Sequence, residues 1–289
     1  MLCPRRCGAD RAAGQLGYCG CGDRVRLARA APHFGEEPCI TGLDGSGAVF
    51  FSGCTLRCVF CQNREISLQG RGKEVGVERL AEIFGELEAE GVHNLHLVSA
   101  TPYADKVVKA LRLAKPKIPV VWNTSGYESL ETLRLLEGYV QIYMPDYKYT
   151  TPLAAKRWSG AWDYPAVARA AILEMYRQTG PFSMDDSGIL QSGVLIRHLL
   201  LPGRLRDAFA VIDWVSETFP PDGVLFSLMS QYVPFADKAK FPELARPVSQ
   251  EEYDRAQARL AASAIENGYF QDLSSATDEL IPHFDFTGI

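Results

Sequence analysis

The chain has 289 residues, of which 47% are hydrophobic and 22% are charged, and its formal net charge is −5. No run of lysine and arginine reaches the five or six residues of a nucleic-acid or acidic-lipid patch, and no apolar stretch approaches the roughly 18 residues of a membrane span. We therefore expect a globular protein, with one barrel or two smaller domains, that binds neither nucleic acid nor membrane.

Eight cysteines are concentrated at the beginning of the chain, at positions 3, 7, 19, 21, 39, 54, 58 and 61. The first residues, Met-Leu-Cys-Pro-Arg-Arg-Cys, place two of these cysteines where a signal peptide requires an apolar segment, so we expect a cytoplasmic protein. Clustered cysteines in a reducing cytosol more often bind metal than form disulfides. The N-terminal part of the chain is therefore predicted to handle metal.

Two domains are predicted. Residues 1–45 are rich in Cys, Gly, Arg and Pro and lack a clear period, which indicates an irregular Cys-rich N-terminal lobe. Residues 46–289 alternate between short apolar runs and amphipathic stretches, which is typical of a strand–helix repeat with a C-terminal extension.

The predicted elements follow one another in that repeat. The strands are predicted at Ala48–Ser52, His93–Ser99, Ile118–Thr124, Tyr139–Met144, Val194–Leu200 and Val224–Met229. The helices are predicted at 76–91, 103–115, 128–137, Tyr164–Thr179, 205–218 and Gln250–Asn267. Such alternation favours right-handed βαβ units and a parallel sheet, so we predict an α/β fold, a partial (β/α)6 barrel similar to a TIM barrel. In such barrels the chemistry takes place at the carboxyl ends of the strands.

The strongest motif follows the first predicted strand: Cys54-Thr-Leu-Arg-Cys58-Val-Phe-Cys61. Three thiolates this close in sequence can bind one iron–sulfur cluster from a single loop, and three ligands for four irons leave one iron open. The alternatives are a zinc knuckle, which favours paired C-x2-C units, or simply buried cysteines. The position in the first βα loop of a barrel favours the cluster.

These residues make the chain similar to radical S-adenosylmethionine (SAM) enzymes. Cys58-Val-Phe-Cys61 followed by Asn63-Arg64-Glu65 resembles the pyruvate formate-lyase activating enzymes. Four further motifs resemble the branch related to those activating enzymes. They are Cys3-Pro-Arg-Arg-Cys7, Gly35-Glu-Glu-Pro38, Gly45-Ser-Gly47 with Val49-Phe-Phe-Ser-Gly-Cys54, and Gln231-Tyr-Val-Pro234. The resemblance covers nearly the whole chain.

The resemblance implies the chemistry. Cys54, Cys58 and Cys61 would hold a 4Fe-4S cluster, and the open iron would bind the amino and carboxylate groups of SAM. One electron would cleave SAM to methionine and a 5′-deoxyadenosyl radical, which abstracts hydrogen from a substrate. The cofactor would supply the difficult chemistry, and the protein would orient it and exclude solvent.

The first SAM-binding positions implied by the resemblance lie near the cysteines and after the second strand. Phe60 matches an aromatic residue near the adenine, although core packing would equally explain it. Ser99-Ala100-Thr101-Pro102 stands where the family often has Gly-Gly-Glu-Pro, which meets the methionine amino group. Because the carboxylate is missing, Ser99 and Thr101 are the candidates through hydroxyl or backbone oxygens.

Further SAM-binding candidates follow the later strands. Asn123-Thr-Ser125-Gly resembles the activases' Asp-Thr-x-Gly, with Asn123 and Ser125 as the candidates; the change from Asp weakens the case for a bound monovalent cation. Asp146-Tyr-Lys148 resembles Asp-Leu-Lys, which touches the methionyl end of SAM, while a surface ion pair is the alternative. The apolar fifth strand contains Arg197 and His198, and only one of two adjacent residues can face the barrel interior. We favour Arg197 for the SAM carboxylate or the substrate, and leave His198 open between the site and packing.

The remaining candidates are less specific. Gln231 and Tyr232, after the sixth strand, are predicted to line the substrate cavity, or else to belong to a turn. No motif contains His33, His93, His96 or His283, and these histidines are interpreted as structural. A second metal site, with zinc or an iron–sulfur cluster, is predicted at the front cysteines; free thiols are the alternative. Its candidate ligands are Cys3, Cys7, Cys19, Cys21 and Cys39.

The leading functional hypothesis is an activase that makes a glycyl radical on a partner enzyme and receives electrons from a flavodoxin or ferredoxin. Ser125-Gly126-Tyr127 superficially resembles a radical-site tripeptide but lacks the preceding Arg-Val, so the partner must be a second chain. One alternative is a radical SAM enzyme acting directly on a small molecule or peptide. Another, from a different class, is a non-enzymatic electron-transfer protein with a fourth protein ligand on its cluster.

Overall fold

The computed structural model describes residues 2–277 and 281–289. In that part of the chain, ten strands are present. They are β1 (Val25–His33), β2 (Ser46–Phe51), β3 (Lys73–Val75), β4 (Leu95–Val98), β5 (Val120–Thr124), β6 (Ile142–Pro145), β7 (Ser183–Met184), β8 (Leu190–Leu199), β9 (Leu225–Met229) and β10 (Gly268–Phe270).

The α-helices are numbered in the same way. They are α1 (Pro38–Thr41), α2 (Arg64–Ser67), α3 (Val77–Ala89), α4 (Ala104–Ala114), α5 (Leu130–Leu136), α6 (Pro152–Ser159), α7 (Tyr164–Thr179), α8 (Leu205–Thr218) and α9 (Gln250–Ala261). Short 3-10 turns lie at Thr101–Tyr103, Pro242–Leu244 and Leu273–Ser275. None of the described helices is long and apolar enough to cross a bilayer.

The strands form one sheet in the order β10-β9-β8-β6-β5-β4-β2-β1-β3, and β7 pairs with β8 outside that order. The strands from β2 through β10 along this order are mutually parallel, whereas β1 is antiparallel to both β2 and β3. The sheet is open, because β10 and β3 stand at its two ends. The predicted α/β fold with a mostly parallel sheet is confirmed, and β10 adds a seventh parallel strand to the six that were predicted.

Period-two alternation places different residues on the two faces of the curved sheet. Outward residues such as Trp122 and Ile196 join the main core with the helices, because parallel strands connected by helices are covered on that face. Inward residues of β5, β6, β8 and β9 form a second apolar cluster with Cys39 and Ile40. The segment after β1 therefore enters the barrel and closes its lower end.

The predicted irregular lobe, residues 1–45, needs a correction. Residues 25–33 form β1, whose register with β2 runs from Leu27↔Phe51 to His33↔Ser46 with one irregularity. Part of the N-terminal segment therefore belongs to the barrel sheet, near one of its edges. The tail also pairs here, because the Phe286 and Ala30 amides donate to the Ala28 and Thr287 carbonyls, respectively.

Candidate functional site

The loop that follows β2, residues 53–61, is called the triplet loop because it carries Cys54, Cys58 and Cys61. It begins at Gly53 with φ of +88° and turns again at Arg57 with φ of +57°. A side chain at Gly53 would place its Cβ 2.1 Å from the Cys21 sulfur and 2.9 Å from the Cys19 carbonyl oxygen. Only glycine fits this approach of the front segment to the triplet loop.

The three thiols of the triplet loop lie at one cavity, and hydrogen-bond donors surround them. The Leu56 amide donates to the Cys54 sulfur at 3.4 Å, and the Ser159 hydroxyl donates to the Cys58 sulfur at 3.1 Å. Burial raises the pKa of the Cys54 thiol to about 12 and also raises the pKa of Cys61. Bound metal would supply the positive charge that a buried thiolate needs.

The cavity lies at the carboxyl ends of the barrel strands and has a volume of about 170 Å³. Five strands contribute their last residues to its wall: Phe51, Val98, Thr124, Leu199 and Met229. Most of the residues predicted from the sequence line it too: Cys54, Cys58, Cys61, Phe60, Ser99, Asn123, Ser125, Asp146, Lys148, Arg197 and Gln231.

The three cysteines fit a cluster better than a single ion. Cys54, Cys58 and Cys61 line the same cavity from one loop. A single tetrahedral zinc ion needs a fourth ligand, whereas the three cysteines of an iron–sulfur cluster each bind a different iron. Three thiols spread around one wall of the cavity are compatible with the second arrangement.

Three charged side chains form a buried network on the cavity wall. The Lys148 ammonium donates to one oxygen of Asp146 at 2.6 Å, and Arg197 Nε donates to the other at 3.1 Å. Burial alone would raise the pKa of Asp146, but the two cations lower it below its usual value. Burial likewise opposes the charge on Lys148, yet Asp146 raises its pKa. All three groups are therefore charged inside the protein.

Arg197 connects this network to the lower part of the barrel. Its two terminal nitrogens donate to Glu36 Oε2 at 2.9 Å and to Asn123 Oδ1 at 2.8 Å. The Asn123 amide in turn lies 2.9 Å from His96 Nε2, whose other ring nitrogen is 3.4 Å from the Ser46 hydroxyl. Burial lowers the pKa of His96 well below its usual value, so His96 is neutral and accepts from Asn123.

Sequence reasoning missed three members of this region. His33 and Glu36 line the cavity and His96 lies behind Asn123, although both histidines had been interpreted as structural. The Gly35-Glu-Glu-Pro38 motif could have drawn attention to Glu36, but the motif alone does not indicate what Glu36 binds. That role depends on the loop after β1 entering the barrel beside Arg197.

Phe60 and Tyr232 form an aromatic group at the side of the cavity. Phe60 lines the cavity, and its ring meets those of Tyr149 and Tyr232 edge-on at 6.3 and 6.2 Å between centroids. Tyr232 lies behind Phe60 and donates to the Leu244 carbonyl at 2.7 Å. The prediction that Tyr232 lines the substrate cavity is therefore corrected, because it supports Phe60 instead.

Ser99 and Thr101 are separated by the turn after β4. Ser99 lines the cavity in a left-handed conformation, with φ of +61°. Thr101 instead donates to the buried Glu128 carboxylate at 2.5 Å, away from the cavity wall. Thr101 is thus a partner of Glu128 and is not placed to contact a ligand in the cavity.

His198 faces away from the cavity. Its Nδ1 lies 2.7 Å from the Tyr147 carbonyl oxygen, and burial lowers the pKa of the imidazole. Successive side chains of β8 point to opposite faces of the sheet, so the inward position of Arg197 places His198 on the outward face. The structure thus corrects the candidate role of His198 in cofactor binding and leaves it a packing role.

Four of the front cysteines gather on the other side of Gly53. The Cys7 and Cys19 sulfurs lie 3.5 and 3.2 Å from the point where a Gly17 Cβ would be, and Arg11 donates to the Cys19 sulfur at 3.2 Å. The Cys21 thiol donates to the Ser52 carbonyl at 3.4 Å. Cys3 lines the same surface cavity as Cys7. We call Cys3, Cys7, Cys19 and Cys21 the N-terminal thiol group.

Cys39 does not belong to the N-terminal thiol group. It is buried at the lower end of the barrel, among the inward residues of the parallel strands. Burial raises the pKa of its thiol to about 11, and its neighbour is Tyr269. The prediction that Cys39 is a candidate ligand of a second metal is therefore corrected.

A groove of about 1000 Å³ adjoins the mouth of the cavity. Gln62 and Pro282 line both, so the groove leads directly to the cavity. Arg64, Arg71 and Phe235 form part of its wall. A ligand in the cavity is thus accessible to a larger molecule lying in the groove.

The comparisons with known proteins agree with the triplet loop. Residues 48–169 match the sequence profile described as the Radical SAM superfamily. The chain is 26% identical over 268 residues to the uncharacterised protein MJ0674 of Methanocaldococcus jannaschii, covering 88% of this chain and 72% of that protein.

Two solved structures are similar in fold. SuiB of Streptococcus suis bound to S-adenosylmethionine gives a TM-score of 0.46 at 15% identity, covering 80% of this chain and 51% of that one. SuiB bound to the precursor peptide SuiA also gives 0.46, at 14% identity, with 79% and 49% covered. The chain spans about half the length of these structures. The profile match to the Radical SAM superfamily includes the triplet loop.

Proposed function

We propose that this protein is a radical SAM enzyme of the activase type, which takes hydrogen from a glycine of a partner glycyl-radical enzyme. The proposal rests on one observation: the three triplet-loop thiols line the same cavity as Asp146, Lys148 and Arg197. A reduced 4Fe-4S cluster, when bound, supplies the electron that cleaves SAM to methionine and a 5′-deoxyadenosyl radical. This chemistry places the enzyme in a reducing compartment, and we propose the cytoplasm.

The protein's own residues hold and orient SAM. Cys54, Cys58 and Cys61 would hold the cluster, and Phe60 would pack against the adenine. Asn123, Ser125 and Asp146 offer oxygen acceptors to the methionine amino group and the ribose. Lys148 would face the methionine carboxylate, since Arg197 already donates to Glu36, Asn123 and Asp146. The enclosing strands exclude water from the reacting atoms.

The groove supports a polypeptide substrate. Its volume of about 1000 Å³ and its shared wall with the cavity allow an extended segment to reach the cavity from outside. Arg64 and Arg71 contribute positive charge to the wall, and Glu65 and Asp285 contribute negative charge. A loop carrying a glycine, with no side chain to obstruct it, could bring its α-carbon to the cavity mouth.

The first experiment tests the enzyme class. Anaerobically reconstituted protein, given dithionite and SAM, should release 5′-deoxyadenosine and methionine. A variant with alanine at Cys54, Cys58 and Cys61 should release neither, whereas Cys39→Ala, which removes a buried cysteine far from the triplet loop, should retain the activity. No product from wild-type protein with an intact cluster would favour the electron-transfer alternative.

The second experiment tests the substrate. A glycyl-radical enzyme from the same genome, labelled with dideuterated glycine, should pass one deuterium to 5′-deoxyadenosine and develop a glycyl-radical EPR signal. An unlabelled preparation is the control. Deuterium arriving instead from a deuterated metabolite extract, with no signal on the protein, would favour the small-molecule alternative and overturn the activase assignment.

A further inference from the structure

The end of helix α6 lies against the triplet loop at Cys58. The Ser159 hydroxyl oxygen is 3.1 Å from the Cys58 sulfur, and the Val59 amide donates to the Trp158 carbonyl at 2.9 Å. Arg5, which also binds a carbonyl of the triplet loop, donates to the Ser159 carbonyl at 2.6 Å. These contacts fix the position of the Ser159 side chain, which takes no part in the proposed binding of SAM.

A second hydroxyl, that of Tyr149, lies behind Ser159. Its oxygen is 2.8 Å from Ser159 Oγ. A cysteine that binds metal is a thiolate and has no proton, so Ser159 must donate its single hydroxyl proton to Cys58. Ser159 Oγ can then only accept from Tyr149. The hydrogen bonds therefore run in one direction, from Tyr149 to Ser159 to Cys58, and a hydroxyl that accepts a hydrogen bond becomes a stronger donor.

Both hydroxyls are shielded from water. Ser159 is 3% exposed and Tyr149 is fully buried. The Tyr149 ring packs edge-on against the rings of Phe60 and Tyr164, at 6.3 and 5.4 Å between centroids, and is tilted against Trp158 at 5.8 Å. If the serine hydroxyl were removed, we therefore expect that a hydrogen bond from solvent would not replace it.

The cysteines of the triplet loop differ in the hydrogen bonds that their sulfurs accept. Cys54 accepts from the Leu56 amide at 3.4 Å, and this main-chain contact does not depend on a side chain. Cys58 accepts from the Ser159 hydroxyl, which a single substitution removes. Cys58 is also buried, with 6% of its surface exposed, so solvent screens this hydrogen bond little. Ser159 is thus a contact to the ligand set that can be tested on its own.

We propose that Ser159, oriented by Tyr149, is a positioning residue that donates a hydrogen bond to the Cys58 thiolate and so raises the reduction potential of the cluster held by the triplet loop. Reduction adds negative charge, and a hydroxyl proton directed at a ligand sulfur stabilises that charge. Both hydroxyls keep their protons throughout. The proposal rests on the cluster of the proposed function but not on the identity of the substrate.

A redox titration of the reconstituted protein, followed by EPR in the absence of SAM, measures the potential. In Ser159→Ala the ratio of reduced to oxidised cluster at one solution potential should fall about tenfold, which is 59 mV for a one-electron couple. Tyr149→Phe should shift the potential in the same direction by less, because Ser159 keeps its own hydrogen bond. Ser230→Ala, which removes a buried hydroxyl bound to the Gln271 carbonyl at 2.6 Å, is the matched control and should match wild type.

A second readout separates this role from a merely structural one. Loss of the hydrogen bond should strengthen the iron–sulfur bond at Cys58, so the iron–cysteine stretching bands in the resonance Raman spectrum should move to higher frequency in Ser159→Ala. The iron content should stay at about four per chain, as for a four-iron cluster. Loss of iron with the bands of the remaining cluster unchanged would mean that Ser159 only supports the loop, and would overturn the proposal.

The outcomes keep this proposal apart from the proposed function. Wild-type potential in a Ser159→Ala protein with full iron content would overturn the role of Ser159 and leave the enzyme class standing. A larger shift in Tyr149→Phe than in Ser159→Ala would contradict the order of the two hydrogen bonds. The expected shift in a protein whose wild type releases no 5′-deoxyadenosine would support the role of Ser159 and overturn the proposed function. Zinc in place of a cluster in wild-type protein would overturn both.

Discussion

At the scale of single residues, the cavity wall depends on charges that neutralise one another inside the barrel. Asp146 accepts from both Lys148 and Arg197, and Arg197 also reaches Glu36. Removing one member of a buried pair leaves the partner without its counter-charge, which typically costs 3–5 kcal/mol. The network therefore contributes to folding as well as to ligand binding.

Lys148→Met should lower the free energy of unfolding by about 3 kcal/mol, because Asp146 keeps only Arg197 as a partner. Lys156→Met, at an exposed helical position, is the matched control and should change stability by less than about 0.5 kcal/mol. Anaerobic urea unfolding measures both. The double variant Asp146→Asn/Lys148→Met should lose less than the two single losses combined; simple additivity would contradict the pairing.

His96 gives the site a defined pH dependence. Burial, Arg197 and His33 lower its pKa, so the folded protein keeps it neutral while the unfolded chain takes up a proton near pH 6.5. The unfolded state then binds more protons, and stability falls as pH drops below 6.5, by about 1.4 kcal/mol per pH unit. Above that pH, this contribution is constant.

His96→Gln should remove that dependence while keeping an acceptor for Asn123. Urea unfolding at pH 7.5, 6.5 and 5.5 should show the stability of wild type, relative to His96→Gln, falling by about 1.4 kcal/mol per unit below pH 6.5. His283→Gln, at an exposed histidine, should track wild type at all three values. A constant difference between wild type and His96→Gln would mean that His96 has the same pKa in the folded and unfolded states, which would contradict its burial as a neutral acceptor.

The residues of the cavity wall that can be predicted from the sequence are those that a short stretch of sequence identifies. Asn123, Asp146 and Arg197 are polar side chains at the ends of apolar strands, and that pattern is visible in a short window. Glu36 could not be assigned in this way, since its partner Arg197 is 161 positions away and meets it only when the loop after β1 enters the barrel. Long-range contacts of this kind leave no trace in local spacing.

At the scale of elements, the periodic segments were predicted best. Helices α7 and α8 have the predicted bounds, and the six barrel strands lie within a few residues of theirs. Helix α9 ends at Ala261, before the predicted Asn267, and the Ser263 hydroxyl just beyond it donates to the Leu260 carbonyl at 2.7 Å. The chain then forms β10, which lies beyond the predicted final helix, in a segment predicted to be irregular.

Strand β1 was missed for a different reason. Residues 25–33 alternate poorly, because alanines and arginines replace the usual β-branched residues. The strand forms nonetheless, since β2 and the chain's tail supply hydrogen-bond partners on both sides. Tertiary pairing, which a local pattern does not record, determines its structure.

The turn between β2 and the triplet loop depends on one glycine. Gly53→Ala should both strain a left-handed backbone and drive a methyl group into the Cys21 sulfur, so we expect a loss of more than 2 kcal/mol and a lower iron content. Gly85→Ala is the matched control, because its Cβ meets nothing within 4 Å in the middle of α3. That control should gain about 0.5–1 kcal/mol. Equal behaviour of the two variants in thermal unfolding and iron content would contradict the close approach.

At the scale of the whole molecule, the beginning of the chain connects the triplet loop to the end of helix α6. The Arg5 guanidinium donates to four carbonyl oxygens, two in the triplet loop and two at the end of α6. Its plane also lies over the Tyr18 ring, 4.1 Å from the centroid. One side chain thus connects the front segment, the triplet loop and a helix about 100 residues further along.

Arg5→Lys should loosen that connection without removing the positive charge. Lysine has a single ammonium in place of the planar fork, so it cannot reach carbonyls on two different elements together. We expect the triplet loop to open more often and release iron to a ferrous chelator at least fivefold faster, with a lower thermal midpoint. Arg6→Lys, at the exposed neighbouring position, should release iron at the wild-type rate. If Arg5→Lys also released iron at that rate, the front segment would not be what holds the triplet loop closed, and the cluster would depend on the barrel strands alone.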